Sequence, residues 1–333
     1  LKAETEHLNQ VLDANVASRV APSICAAVGT LESDSPLYIY PHNQNTIFDL
    51  ASLTKILATT VVAAEAIVAG KLTLEEQPFK QWPGVRVVDI LQHTSGLPAW
   101  KSLYERPNNK ATVVARALAV TLEAPPRSRM VYSDIGFIAL GHLLESRLAK
   151  SLDEVFSQLA QKHYVAPTLS YRRHVDSHIS HIAPTGICPV RRRRLRGEVN
   201  DLNVFALGGV AGHAGLFGSL HDIIKAARFF LKCFKHPTSE FEKTLQHFMK
   251  ADGARAIGFD RADRRGTTDG VLSEFAIGHL GFTGTSLWID PEAAGGKGAY
   301  FILLTNHTET SSRKRDLLQL RRDFHRAAVR LLS

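Results

Sequence analysis

Ser52 and Lys55 stand three residues apart in Ser52-Leu53-Thr54-Lys55, at the head of an apolar, Ala-rich run that reaches Gly70. A serine hydroxyl is a poor nucleophile until a neighbouring base removes its proton. Residues i and i+3 share one face of a helix, so these two side chains would project side by side. A lysine kept neutral by burial could then take the serine proton. At a helix start the backbone N–H of Ser52 would also be free to help bind an oxyanion. The same spacing also describes a serine N-cap followed by a surface lysine. Ser311-Ser312-Arg313-Lys314 repeats the pattern in a polar, charge-rich segment. The tetrad alone does not separate the two readings.

Two later stretches give it context. Tyr132-Ser133-Asp134 opens the helical stretch VYSDIGFIALGHLLE, and His279-Leu280-Gly281 lies in the strand-like GHLGFTGTSLWID. Ser-x-x-Lys, then Tyr-x-Asn or Ser-x-Asn, then Lys-Thr-Gly is the ordered signature of penicillin-recognising serine enzymes. The sequence resembles that superfamily, specifically the class C β-lactamase branch with its related DD-peptidases, esterases and cell-wall amidases. ILQHTSGLP (90–98) matches a phrase typical of the branch, and RGEVNDLNVFALGGVAGHAGLFGS (196–219) resembles a subgroup linked with cell-wall recycling. The matches run from about residue 46 to 307, most of the chain.

The resemblance implies roles. Ser52 would be the acylated nucleophile and Lys55 its base. Tyr132 would share the proton with Lys55 and later help activate water. A phenol with an ordinary pKa of about 10 needs cationic neighbours to act as a base near neutrality, and Lys55 would supply one. The oxyanion hole would combine the backbone N–H groups of Ser52 and Phe282, with Gly281 letting the backbone approach the substrate closely. Gly208, Gly209 and Gly212 would shape a loop near the cleft.

Departures from the signature bear on substrate. Asp134 replaces the usual Asn and loses an N–H donor toward a substrate carbonyl. If ionised close to Lys55, it would favour the charged lysine. His279 and Leu280 stand where Lys and Thr help bind the carboxylate of β-lactams and of terminal D-alanine. Histidine is only partly charged near neutrality and leucine cannot hydrogen-bond, so the carboxylate anchor is weakened. Poor β-lactam turnover follows, with an amide or ester lacking that carboxylate preferred.

The elements that must position these residues read as follows. An amphipathic helix covers 7–18, with Leu8, Val11, Leu12 and Val16 on one face. SICAAVGTLE and SPLYIYPHN read as strands; a helix runs from Ser52 to near Gly70, and a short one covers 86–93. Residues 111–163 are helical with a break at APPRSRMVYSD, 164–204 read as loops, and 208–219 as a Gly-rich turn before a helix from Leu220 to Phe234. After a helix near 239–250, RAIGFDRA, AIGHLGFTGTSLWIDP and AYFILLTN look like strands, and a basic amphipathic helix closes the chain over roughly Lys314 to Leu332. The expected class is α+β: one catalytic domain over 1–333, with an antiparallel sheet flanked by helices, of the serine β-lactamase/transpeptidase type. An α/β lobe would take about 1–60 and 250–333 and a mainly helical lobe about 61–249, with a cleft between them.

Composition narrows the remaining classes. The chain has 333 residues, 44% of them apolar and 22% charged, ordinary for a soluble globular protein. No run reaches the roughly 18 apolar residues of a membrane span. The start at Leu1 lacks both Met and a signal-peptide core and reads as trimmed. The location would be periplasmic or cell-envelope if a signal was removed, and cytoplasmic otherwise. Cys25, Cys188 and Cys233 show no metal spacing, and an odd count leaves at least one unpaired. Net charge is +8, partly in Arg191 to Arg194 plus Arg196. With no nucleic-acid motif and few nearby aromatics, that run reads as a solvated basic loop, or as a grip for an anionic cell-wall polymer. His174, Asp176, His178 and His181 have spacing that could ligate zinc. No helical period brings them together, and the resemblance implies neither metal nor other cofactor. His93 and His213 read as structural hydrogen-bonders and Trp288 as core.

The expected function is a serine hydrolase working through an acyl-enzyme on Ser52, cleaving amides in cell-wall peptides or muropeptides. A β-lactamase and a small-ester esterase are the enzymatic rivals. A peptidoglycan-binding fold without turnover is the rival of another kind, motivated by Asp134 and His279 and opposed by the intact Ser52, Lys55 and Tyr132.

Overall fold

Two segments apolar on both faces form the centre of the fold. β1 (Ile24–Thr30) and β11 (Ala299–Thr305) are buried along their whole length and pair antiparallel, Ile24 opposite Thr305. Such strands need cover on both faces of their sheet. On one face α1 (Lys2–Ala17) and α11 (Lys314–Val329) bring Leu8, Leu12, Leu320 and Phe324 into one core with Ala26, Val28, Phe301 and Leu303. On the other, α8 (Leu220–Lys235) packs against the sheet, and Phe230 and Leu231 share a core with Ala27, Ile302 and Leu304. β2 (Tyr38–Ile39), β8 (Asp260–Arg261), β9 (Ile277–Leu280) and β10 (Ser286–Asp290) complete the sheet in the antiparallel order β2-β1-β11-β10-β9-β8. The structure, a computed structural model, describes residues 1–40, 45–105, 109–171, 181–263 and 265–332.

Between β2 and β8 the longer elements are helices. β3 (Ile47–Asp49) leads through a tight turn into a π-helical segment, Lys55–Thr59, continued by α2 (Thr60–Val68). Then come α3 (Val87–Leu91), α4 (Lys110–Leu118), α5 (Asp134–Leu148) and α6 (Leu152–Leu159). After β4 (Ser170–Tyr171), β5 (Ile187–Cys188), β6 (Arg193–Arg194), α7 (Leu202–Ala206) and β7 (Leu216–Ser219), α8 and α9 (Glu240–Lys250) lead back to the sheet; α10 (Ala293–Gly296) lies between β10 and β11. The mixed α/β class with an antiparallel sheet is as expected from the sequence.

Three local expectations change. The Gly-rich stretch 208–219 is not only a turn: Leu216–Ser219 is β7, central in a small sheet of order β3-β7-β4. Four residues amid glycines are too short to show a two-residue period. Within 164–204, the pairs β4, β5 and β6 and the helix α7 interrupt the loops, each too brief to leave a pattern. The apolar run 276–291 is a hairpin, not one strand: β9 and β10 pair with Ser286 opposite Leu280, across a turn in which Gly284 has φ +111°. Only Gly adopts that backbone readily.

Among the described residues no helix is long and apolar enough to cross a membrane. Cys25, Cys188 and Cys233 are buried, and none of them is in a disulfide among the described residues. Arg193 and Arg194 of the basic run are ion-paired to Glu198 and Glu309, while Arg191 donates to the carbonyls of Val199 and Asn200. His174, Asp176 and His178 lie outside the described residues, and His181 is exposed.

Candidate active site

The backbone reverses sharply just before Ser52. Asp49, at the end of β3, is buried, and its carboxylate accepts the N–H groups of Ala51 (2.9 Å) and Asn200 (2.7 Å). Ala51 takes φ +47°, unusual for a residue with a side chain. Ser52 therefore emerges from a strand end straight into a helix. Lys55 opens the π-helical segment, where the N–H of Thr60 reaches back to its carbonyl. Wide turns of this kind recur at functional sites and left no signal in the apolar pattern.

Lys55 is fully buried, and its ammonium meets three acceptors. Nζ lies 3.2 Å from Ser52 Oγ, 2.7 Å from Asp134 Oδ1 and 3.0 Å from the carbonyl of His213. A lysine has three N–H donors, so the set is complete. Burial alone would lower its pKa, but the Asp134 carboxylate and Tyr132 outweigh burial and hold Lys55 above its ordinary range. This corrects the expectation of a lysine kept neutral by burial: the resting group is an ammonium, because burial came with a carboxylate attached.

Tyr132 lies over this cation, its ring centroid 4.8 Å from Lys55 Nζ, and its hydroxyl interacts with both Lys55 and Ser52. The ring is also held against His93 at 4.5 Å and near His279 at 5.7 Å. Burial raises the Tyr132 pKa more than Lys55 lowers it, so the hydroxyl stays above its ordinary range. The expected draw of Lys55 on the phenol is present, and desolvation exceeds it.

The phrase HTSGLP holds Tyr132 and Asp134 in place. His93 Nδ1 accepts the N–H of Ser133 (2.9 Å), Ser133 Oγ donates to the carbonyl of Pro98 (2.7 Å), and Asp134 N–H donates to that of Ala99 (2.9 Å). His93 is thus a structural acceptor, kept neutral by burial and by the nearby Arg255 and Lys55. His213 supplies its carbonyl to Lys55 while its ring contacts Asp201 at 3.3 Å. Thr59 Oγ1 pins the neighbouring Gly212 carbonyl at 2.6 Å, and a Cβ on Gly212 would fall 2.1 Å from the Phe137 carbonyl. That glycine lets the loop lie directly on α5.

The turn after His279-Leu280-Gly281 is tied to the segment entering Ser52. Thr283 Oγ1 donates to the carbonyl of Asp49 (2.7 Å) and Thr285 Oγ1 to that of Leu50 (3.2 Å). A Cβ on Gly281 would lie 2.0 Å from Thr285 Oγ1 and 2.8 Å from the Leu50 carbonyl, so the close approach requires glycine. Among the described residues neither Ser52 N–H nor Phe282 N–H has a hydrogen-bond partner.

His279 and Leu280 diverge. His279 is buried near Tyr132; its Nδ1 contacts the Leu280 carbonyl at 2.8 Å, and burial followed by Arg255 keeps its pKa well below the ordinary value. Leu280, one residue on, belongs to the opposite face of the strand, packs toward the α1–α11 core and lines a cavity of about 1130 Å³. Arg255 and Asp260 were missed in the sequence. They form an ion pair of buried Arg255 with half-buried Asp260; the Arg255 guanidinium lies 5.5 Å from the Tyr132 ring centroid, and Asp260 lies 3.9 Å from His279 Nε2. An arginine and an aspartate in a short irregular segment leave no periodic or motif signal.

A serine hydroxyl against a buried lysine and tyrosine, on a helix beside an antiparallel sheet, defines the serine hydrolases that work without histidine as base. The chain belongs to the Beta-lactamase family, whose model matches residues 9–325. It is 29% identical over 290 residues to a protein of Salmonella gallinarum named putative D-alanyl-D-alanine carboxypeptidase, covering 74% of this chain and 67% of that protein. It is similar in fold to a β-lactamase of Mycobacterium bovis, with a TM-score of 0.67 and 17% identity over 97% of this chain and 99% of that one. It is likewise similar to EstCE1, a hydrolase with promiscuous acyltransferase activity, with a TM-score of 0.74 and 15% identity over 97% and 99% of the two chains.

Proposed function

We propose that this serine hydrolase forms an acyl-enzyme on Ser52 and cleaves amide bonds in bacterial cell-wall peptides or muropeptides. The observation that carries the reading is the chain Ser52 Oγ–Lys55 Nζ–Asp134 Oδ1, at 3.2 and 2.7 Å. With Lys55 resting as an ammonium, it must release a proton before it can accept one from serine. Asp134 takes that proton, Lys55 takes the Ser52 proton, and Ser52 Oγ attacks the scissile carbonyl. The oxyanion is received by the N–H groups of Ser52 and Phe282. As the intermediate collapses, Lys55 passes a proton through the Tyr132 hydroxyl to the departing amine. Lys55 is restored by the proton held on Asp134. Deacylation repeats the sequence with water in place of serine.

Peptide substrates are supported by the relative named as a carboxypeptidase. His279 is neutral, which argues against a strong carboxylate anchor at the place where the signature has lysine. Incubation with purified muropeptides and with p-nitrophenyl esters, followed by mass analysis, tests the reading. Release of amine-terminated peptide fragments is expected. Turnover of esters alone would replace it with an esterase.

A further inference from the structure

Arg321 lies on the buried side of α11, 7% exposed, with no ion-pair partner among the described residues. Its Nη2 donates to two carbonyls of the turn between β9 and β10: Gly281 at 3.0 Å and Thr285 at 2.9 Å. The same turn is closed by Gly281 N–H to the Thr285 carbonyl (2.7 Å) and by Gly284 N–H to that of Gly281 (3.1 Å). A buried guanidinium without a carboxylate is costly, and one spent on two backbone carbonyls calls for a reason beyond helix packing.

The Gly281 carbonyl and the Phe282 N–H belong to one peptide unit. In a trans peptide the two point in opposite directions. With the carbonyl fixed toward Arg321 beneath the turn, the Phe282 N–H is directed away from α11. Thr283 and Thr285 meanwhile fasten the turn to Asp49 and Leu50, the residues leading into Ser52. A cationic donor on a carbonyl polarises the whole peptide and makes its N–H a stronger donor. Burial lowers the Arg321 pKa only to about 10, so the charge is kept near neutrality.

We infer that Arg321 is a positioning residue for the oxyanion hole, orienting and polarising the 281–282 peptide whose N–H receives the oxyanion. The inference rests on the acyl-enzyme reading above. Arg321 touches no substrate and acts through the backbone.

The test is the infrared carbonyl band of the acyl-enzyme, compared between wild type, Arg321→Met and Arg321→Lys after acylation by a slowly released ester. Weaker hydrogen bonding in the hole moves the band to higher frequency. Arg321→Met is expected to raise it and to lower kcat about tenfold per acylatable site, with KM nearly unchanged, a fraction of the effect of losing a whole donor. Arg321→Lys, which keeps the charge but not the planar donor, should recover part of both. If Arg321→Met does not fold, Arg321→Lys carries the comparison, and its band should shift in the same direction by less. An unmoved band in the folded variants, or a kcat loss that vanishes on normalising to acylatable sites, overturns the inference. Absence of any acyl-enzyme in wild type would instead refute the underlying reading, so the two failures are distinguishable.

Discussion

Lys55 Nζ sits 2.7 Å from Asp134 Oδ1, closer than its 3.2 Å approach to Ser52 Oγ. The third position of the Tyr-Ser-Asp motif thus faces the lysine as a counter-ion. Asp134 offers no N–H to a substrate, and its carboxylate decides the charge state of the base.

Replacing that carboxylate should move the pH profile. Asp134 holds the Lys55 pKa up, so Asp134→Asn lets the amine lose its proton at lower pH. With no carboxylate left to take the Lys55 proton, however, the variant should turn over only where the amine has lost it to solvent. The ascending limb of kcat/KM should therefore move to higher pH and the rate near neutrality should fall. A pH–rate profile on the preferred substrate checks this, and a limb that stays put would separate Lys55 ionisation from the rate.

Tyr132→Phe removes the hydroxyl and keeps a ring against His93, whose centroid is 4.5 Å away. The variant should fold with little change in thermal midpoint and lose about 10²-fold or more in kcat. Retained turnover would mean that the leaving amine gets its proton elsewhere.

At Gly281 there is no room for a methyl group, because the nearest backbone atom, the Leu50 carbonyl, would lie 2.8 Å from it. Gly281→Ala should displace the turn, destabilise the fold by about 1–3 kcal/mol and depress kcat. Thermal unfolding together with steady-state kinetics checks both effects. An Ala variant with wild-type values would show that the turn is not held against Leu50.

His279 is buried and its pKa lies well below the ordinary value, so it supplies no cation near neutrality. A chromogenic cephalosporin should be turned over more slowly than the peptide substrate. The pH profile should show no inflection near the ordinary histidine value of about 6.5. Rapid cephalosporin hydrolysis would require a carboxylate anchor other than His279.

Much of this was legible in the chain because short motifs carried it. Ser52 and Lys55 came from spacing, Tyr132 and Asp134 from the resemblance to an ordered family signature, and the structure brings their side chains together. The central strands showed as unbroken apolar runs, and α11 as an amphipathic helix. Charge states were not legible: whether burial or a partner governs Lys55 depends on Asp134, 79 residues away in sequence. Arg255, Asp260 and Arg321 could not be read either, since an isolated charged residue looks the same whether it meets solvent, an ion-pair partner or a carbonyl. The strand β7 and the π-helical turn were lost for a related reason, being shorter than the period that would reveal them.

The central claim is that Ser52 is the residue acylated, and intact-mass measurement after treatment with a fluorophosphonate probe tests it most directly. Wild type should gain a single probe mass, mapped by digestion to the peptide containing Ser52, while Ser52→Ala, folded to the same thermal midpoint, should gain none. An unmodified wild type, or equal labelling of Ser52→Ala, would contradict the account.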